Sequence, residues 1–210
     1  MKKFKIALVL AAILPFISIS LSWAQSASVP FTVSATIPAA TGVNIVATQV
    51  NASDNKFGQQ VSALDFDPMT LNTKFGVFFP DHYFAIDVGA SGGAGNPNVT
   101  VSYTEGAKPV GQVNGLGFKT QATFVKITGG PAPEDQVETA LAAHPKQPLK
   151  ELIGGEIVSA SEIAGGFLRL YVGVISGDDA AVTALGGEPF TLADRPGPYT
   201  GTLTVSATLQ

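Results

Sequence analysis

A serine set among glycines, two histidines and two acidic pairs are the residues of this chain whose types and spacing could do chemistry. Gly89-Ala90-Ser91-Gly92-Gly93 fits Gly-x-Ser-x-Gly, which in serine hydrolases sets a nucleophile on a sharp turn between strand and helix. A strand-like run precedes it, but Gly93-Ala94-Gly95-Asn96-Pro97 follows, and that string cannot start a helix. The partner base would have to be His82 or His144, the two histidines of the chain. The segment is therefore read as a Gly-rich loop, no catalytic residue is assigned, and a hydrolase survives only through Ser91.

Two histidines also leave a catalytic zinc site short of its usual three protein ligands, so no metal site is assigned and no cofactor is called for. Asp65-Phe66-Asp67 and Gly177-Asp178-Asp179 could offer oxygen ligands to calcium, but neither has the spacing of a known calcium loop. Aspartates favour turns because their side chains bond the local backbone, and the turn reading is preferred. Whether either turn holds calcium stays open. Asn51-Ala52-Ser53 and Asn98-Val99-Thr100 are formal glycosylation sequons, read as chance matches in a chain with a bacterial-looking leader.

The elements that must position these residues begin with that leader. Met-Lys-Lys-Phe-Lys, then an apolar run from Ile6 to Ile19, then Ser22-Trp23-Ala24 has the order of a cleaved signal peptide over residues 1–24. The run is shorter than the ~20 residues a bilayer span needs, so no membrane span is expected once the leader is removed. Cleavage after Ala24 would remove Lys2, Lys3 and Lys5 and take the formal charge from −4 to −7. A surface of that sign repels phosphate backbones, which argues against nucleic acid and anionic lipid as partners. The chain has no cysteine, so an exported domain must hold itself together by its core. Residues 25–210 are long enough to bury one good core, and they are read as a single domain.

The 23 glycines and 14 prolines fall between apolar runs, as turn punctuation in an all-β fold. Val29-Pro30-Phe31-Thr32-Val33-Ser34-Ala35-Thr36-Ile37 alternates strictly, with Val29, Phe31, Val33, Ala35 and Ile37 on one face. Tyr199 to Leu209 alternates again and ends the sequence in a strand. Val43–Thr48, His82–Val88, Val99–Tyr103 and Phe118–Ile127 are further strands. Phe167–Ile175 reads as a central strand covered on both faces. About nine strands in all suit a two-sheet antiparallel sandwich of immunoglobulin-like type. One segment breaks the pattern: Pro133 to Ala143, with Glu134 and Asp135 in its first turn, reads as a short helix, and Leu149 to Ile153 as a further helical turn. Together they define a helical insertion at about 129–155.

At Phe31 to Ala40, and again at Gly197-Pro198-Tyr199-Thr200-Gly201-Thr202-Leu203-Thr204-Val205, the sequence resembles spore coat protein U-like and archaic chaperone–usher pilin subunits. The resemblance covers the two ends, about a quarter of the residues after the leader. It departs from the family where a cysteine would be expected, since Thr41-Gly42 stands after Pro38-Ala39-Ala40, and in the helical insertion. Such subunits are incomplete sandwiches that take their missing strand from a neighbour's N-terminal extension, a use of strand addition for polymerisation. The resemblance implies that Val29, Phe31, Val33, Ala35 and Ile37 form a strand-donor face. It further implies partners among copies of the chain, related subunits and a periplasmic chaperone, and a place in the periplasm, at the cell surface or outside the cell.

Two functions stay open on these residues. One is a non-enzymatic exported structural protein, a fimbrial (pilus) or surface-coat subunit. The other is a secreted monomeric β-sandwich module binding a glycan or a protein, with its ligand near Gly89–Asn96 or the insertion. The single tryptophan, Trp23, falls in the leader, which weakens a glycan platform but leaves four tyrosines. The same alternation in 29–37 also describes an ordinary first strand paired within its own domain.

Overall fold

Period-two patterning becomes two facing sheets in the computed structural model, which describes residues 31–36 as backbone and 42–91, 95–130 and 132–209 in full. A four-stranded sheet runs in the order β1 (Phe31–Thr36), β14 (Gly201–Thr208), β7 (Asn98–Glu105), β11 (Glu156–Val158). A seven-stranded sheet runs β10 (Gln147–Pro148), β8 (Thr120–Gly129), β12 (Phe167–Val174), β6 (His82–Ala90), β2 (Val43–Asn51), β3 (Phe57–Val61). Its seventh strand, β9 (Gln136–Ala140), shares the outer edge of β8 with β10. A small third sheet joins β4 (Met69–Asn72), β5 (Val77–Pro80) and β13 (Phe190–Thr191). Two short helices, α1 (Leu116–Lys119) and α2 (Ala180–Ala184), lie between strands. The chain is an all-β sandwich.

The core lies where the two large sheets face each other. From one side come Val99, Val101, Tyr103, Leu203, Val205 and Ala207 at alternate positions of β7 and β14. From the other come Phe84, Ile86 and Val88 of β6, Phe124 of β8, and Leu168, Leu170 and Val172 of β12. Each large side chain so buried is worth about 1.5–3 kcal/mol, and two in-phase strands per sheet suffice to hold the layers together. β12 is central, as its sequence implies, but only its even-numbered face is in the core. On its odd face, Phe167 and Arg169 floor a groove on the outside of the sandwich.

The helical insertion is corrected by the structure. Within 129–155, helical turns of the tight 3-10 kind occupy only Pro133–Asp135 and Leu149–Gly154. The stretch read as a helix after Asp135 is β9, antiparallel to β8 with Ala140 opposite Val125 and Gln136 opposite Gly129. The starting signals were met locally, since Pro133 does begin a turn. The predicted apolar face then had nothing to pack on, and Val137 is 59% exposed. The free edge of β8 offers a row of backbone partners instead, and for a stretch of weak propensity that decides the conformation. The second turn ends at Gly155, whose φ of 81° is one that glycine adopts without strain.

Candidate functional site

Two places gather the residues singled out from the sequence. The first is the margin of the four-stranded sheet. β1 runs parallel to β14, with Phe31 beside Gly201, Val33 beside Leu203 and Ala35 beside Val205. Gly201, Leu203, Val205 and Ala207 are the buried row of β14, so the odd positions of β1 are in phase with it. Val29 and Ile37, the outer members of the expected donor face, lie outside the described residues, as do residues 1–24. The two segments that carried the family resemblance are thus neighbours in one sheet. Tyr199, just before β14, is buried, packs edge-on against Phe190 at 5.0 Å and donates its hydroxyl to the Arg195 carbonyl at 3.0 Å. Gly201 lies so close to Tyr103 that a Cβ there would sit 2.6 Å from the ring.

The second place is the groove outside the seven-stranded sheet, about 870 Å³ in volume. Period-two geometry puts Asp87 of β6 and Arg169 of β12 directly opposite each other on this outer face. Arg169 donates from Nε and Nη2 to the two Asp87 carboxylate oxygens at 2.6 and 2.8 Å, a bidentate pair. Its guanidinium also lies 4.5 Å from the centre of the Phe57 ring on β3 and 5.6 Å from that of Phe167. Burial alone would lower the guanidinium pKa, but the hydrogen bonds and charge of Asp87 outweigh it and hold the group above its ordinary value. Burial first, and then the hydroxyl's bond to Glu138, raises the Tyr171 phenol. Gly89, Ser91 and Asn96 line the groove together with the aromatic rings of Phe57 and Phe167. Asn96 is pinned by donating to the Ile163 carbonyl at 2.7 Å.

Ser91 is exposed at this rim, its backbone N–H donating to the Gly42 carbonyl at 2.7 Å. Both histidines are engaged elsewhere. His82 stands at the far end of β6, some 25–30 Å away along a strand of this length. Its ring nitrogens lie 2.6 Å from Asp81 Oδ1 and 2.6 Å from the Asp65 carbonyl oxygen. His144 is clasped between Glu156 Oε1 at 2.5 Å and Glu162 Oε1 at 2.9 Å. The acidic pairs serve turns and caps: Asp65 accepts from the Asp67 N–H at 3.0 Å, and Asp179 caps α2 by accepting from Ala181 and Val182. Asp178 accepts from the Ser176 hydroxyl. Among the described residues, no group of three or more His, Cys, Asp or Glu side chains is arranged to hold a metal ion, and no helix is long and apolar enough to cross a membrane. Of the sequons, Asn51 accepts from Ser53, and Asn98 accepts from the Ala160 N–H at 2.8 Å.

The Asp87–Arg169 pair was within reach of the sequence. Asp87 falls between Ile86 and Val88, and Arg169 between Leu168 and Leu170, which marks two opposite charges on the outward faces of two interior strands. Their pairing needed the strand order, and Phe57 lies in a stretch too polar to read as a strand. No family model, no curated protein and no solved structure matches this chain.

Proposed function

We propose that the chain is a non-enzymatic exported structural protein, a fimbrial-type or surface-coat subunit whose copies join by exchanging the segment 29–37. The observation that carries this reading is the pairing of β1 with β14. Among the described residues, β1 stands at the end of its sheet, with β14 as its one ladder partner. A strand held from one side only can leave without unmaking the rest of the sandwich. The cost falls on β14, whose outer backbone groups lose their partners and whose row of Leu203, Val205 and Ala207 loses its flank. The same segment of a second copy supplies identical contacts, so exchange conserves the interactions while linking the chains. Related subunits, or a periplasmic chaperone holding the edge before assembly, fit the same slot.

The test is assembly itself. Protein recovered from the cell envelope should run as multimers in unheated detergent, and deletion of residues 25–37 should abolish them, with the 29–37 peptide restoring a stable monomer. Val33→Asp, at the register position beside Leu203, should weaken multimers severely because an unpaired carboxylate would enter an apolar row. Ser34→Asp, on the other parity, should be tolerated. A deleted protein that assembles like the full chain would refute the reading.

The groove favours a second reading, a secreted binding module for a glycan or a protein. Its aromatic rings and polar groups suit a ligand with both ring faces and hydroxyls. Titration of the monomer against a glycan panel, repeated with Phe57→Ala, tests it: binding lost on that change supports the module.

A further inference from the structure

Lys119 closes α1 immediately before β8, and it is the one lysine that is buried among the described residues, its side chain 3% exposed. Its ammonium meets three acceptors: Asp194 Oδ1 at 2.7 Å, Glu188 Oε1 at 2.8 Å and the Pro189 carbonyl at 3.1 Å. The side chain of Asp194 is itself 11% exposed. The Phe190 ring covers the ammonium at 5.6 Å and Tyr199 backs that ring. Burial, then the charge of Asp194, pushes the Tyr199 phenol up to about 12, as expected where water screens poorly. The other paired lysines differ in kind: Lys56, Lys146 and Lys150 are 81%, 36% and 17% exposed. Arg169, equally buried, carries a guanidinium that does not act as a nucleophile.

From this cluster we infer that Lys119 and Asp194 condense into an intramolecular amide, with Glu188 carrying the protons. The inference is independent of the assembly reading, since it concerns one chain alone. Transfer of one proton from Nζ to the Asp194 carboxylate leaves a neutral amine facing a neutral carboxylic acid, with net charge unchanged. The amine lone pair attacks Cγ, and negative charge develops on Oδ2. That oxygen already accepts from the Thr191 N–H at 2.7 Å and the Thr191 hydroxyl at 3.3 Å, two donors aimed where the charge appears. Glu188, held by Asn114 Nδ2 at 2.8 Å, takes the second proton from nitrogen and returns it to the departing Oδ1 hydroxyl. A C–N bond forms, a C–O bond breaks and one water leaves. No oxidant or cofactor takes part. Gln112 Nε2, 2.7 Å from Oδ1, keeps the carboxyl group in place.

The link would join the start of β8, in the seven-stranded sheet, to the loop that leads into β14 of the four-stranded sheet. In a chain without cysteine it does the work of a disulfide that no reductant opens. Intact-mass and peptide-mapping measurements on the folded wild-type protein test it. The expected result is a mass lighter by one water than the sequence from its observed N-terminus, with the deficit in a single cross-linked peptide containing Lys119 and Asp194. Lys119→Arg and Asp194→Ala should restore the full mass, and Glu188→Gln should restore it while leaving both reacting residues present. The wild-type mass decides even where a variant fails to fold. A full sequence mass, free cleavage by trypsin after Lys119 in the denatured chain, or a water deficit mapped to any other peptide would mean a plain buried ion pair and overturn the inference.

Discussion

Arg169 is the residue with most at stake on the outer face of the sandwich, because its charge is buried and its two strongest bonds go to one partner. Replacing Asp87 by Ala leaves the more distant Glu138, at 3.6 Å, as the carboxylate facing that guanidinium, beside the aromatic rings around it. The expected loss is roughly 2–4 kcal/mol, short of the largest such losses because Asp87 is one-third exposed. A denaturant titration measures it, and an unchanged midpoint would show that water solvates Arg169 freely. Ser91→Ala should leave stability, and any hydrolysis of ester substrates, where it was, because the ring nitrogens of both histidines are taken up by other partners. Acid should loosen the clasp around His144. Hydrogen bonds from the Ser159 hydroxyl and backbone, then the neighbouring imidazole, hold Glu162 below its ordinary value of 4.5. A carboxylate with a lowered pKa in the fold contributes stability above its unfolded value and loses it as pH falls through the folded value. The part of the stability that Glu162 contributes should therefore be lost below about pH 4.5, and Glu162→Gln should flatten the decline there.

At the scale of elements, strands with one clean apolar parity were legible. His82–Val88, Val99–Tyr103, Phe167–Ile175 and the C-terminal alternation all became strands at nearly the expected bounds. Local patterning decides such segments because one parity has a core to enter. β9 shows the opposite case, a helix-like opening captured by the edge of β8, and no property of residues 133–143 alone reveals that an edge waits beside them. The third sheet was equally out of reach, since β4, β5 and β13 are two to four residues long and depend on one another. The pairing of β14 with β7 makes a sharper prediction. Gly201 faces the Tyr103 ring, and Tyr103 is fully buried with its hydroxyl donating to Glu105 at 2.9 Å, so it has little freedom to move. Gly201→Val should cost about 1–3 kcal/mol by overpacking, read as a lower unfolding midpoint with an unchanged slope.

For the whole molecule, the central claim is that the first strand belongs to β14 of a neighbour as readily as to its own. The sequence supplied the alternation of 29–37 and that of 199–209; which strand pairs with which, and in parallel, required the fold. Because the chain has no cysteine, two introduced thiols report that pairing without competition. Ser34 and Thr204 are register partners, and adjacent strands bring Cα atoms within the range a disulfide spans. One population of chains should carry Ser34→Cys, a second Thr204→Cys, and the two should be co-expressed, oxidised and separated under denaturing conditions. The account predicts a covalent dimer joining one chain of each kind through Cys at 34 and 204. Absence of that dimer, together with a monomeric internal disulfide in the doubly substituted chain, would place the strand permanently within its own domain and contradict assembly by exchange.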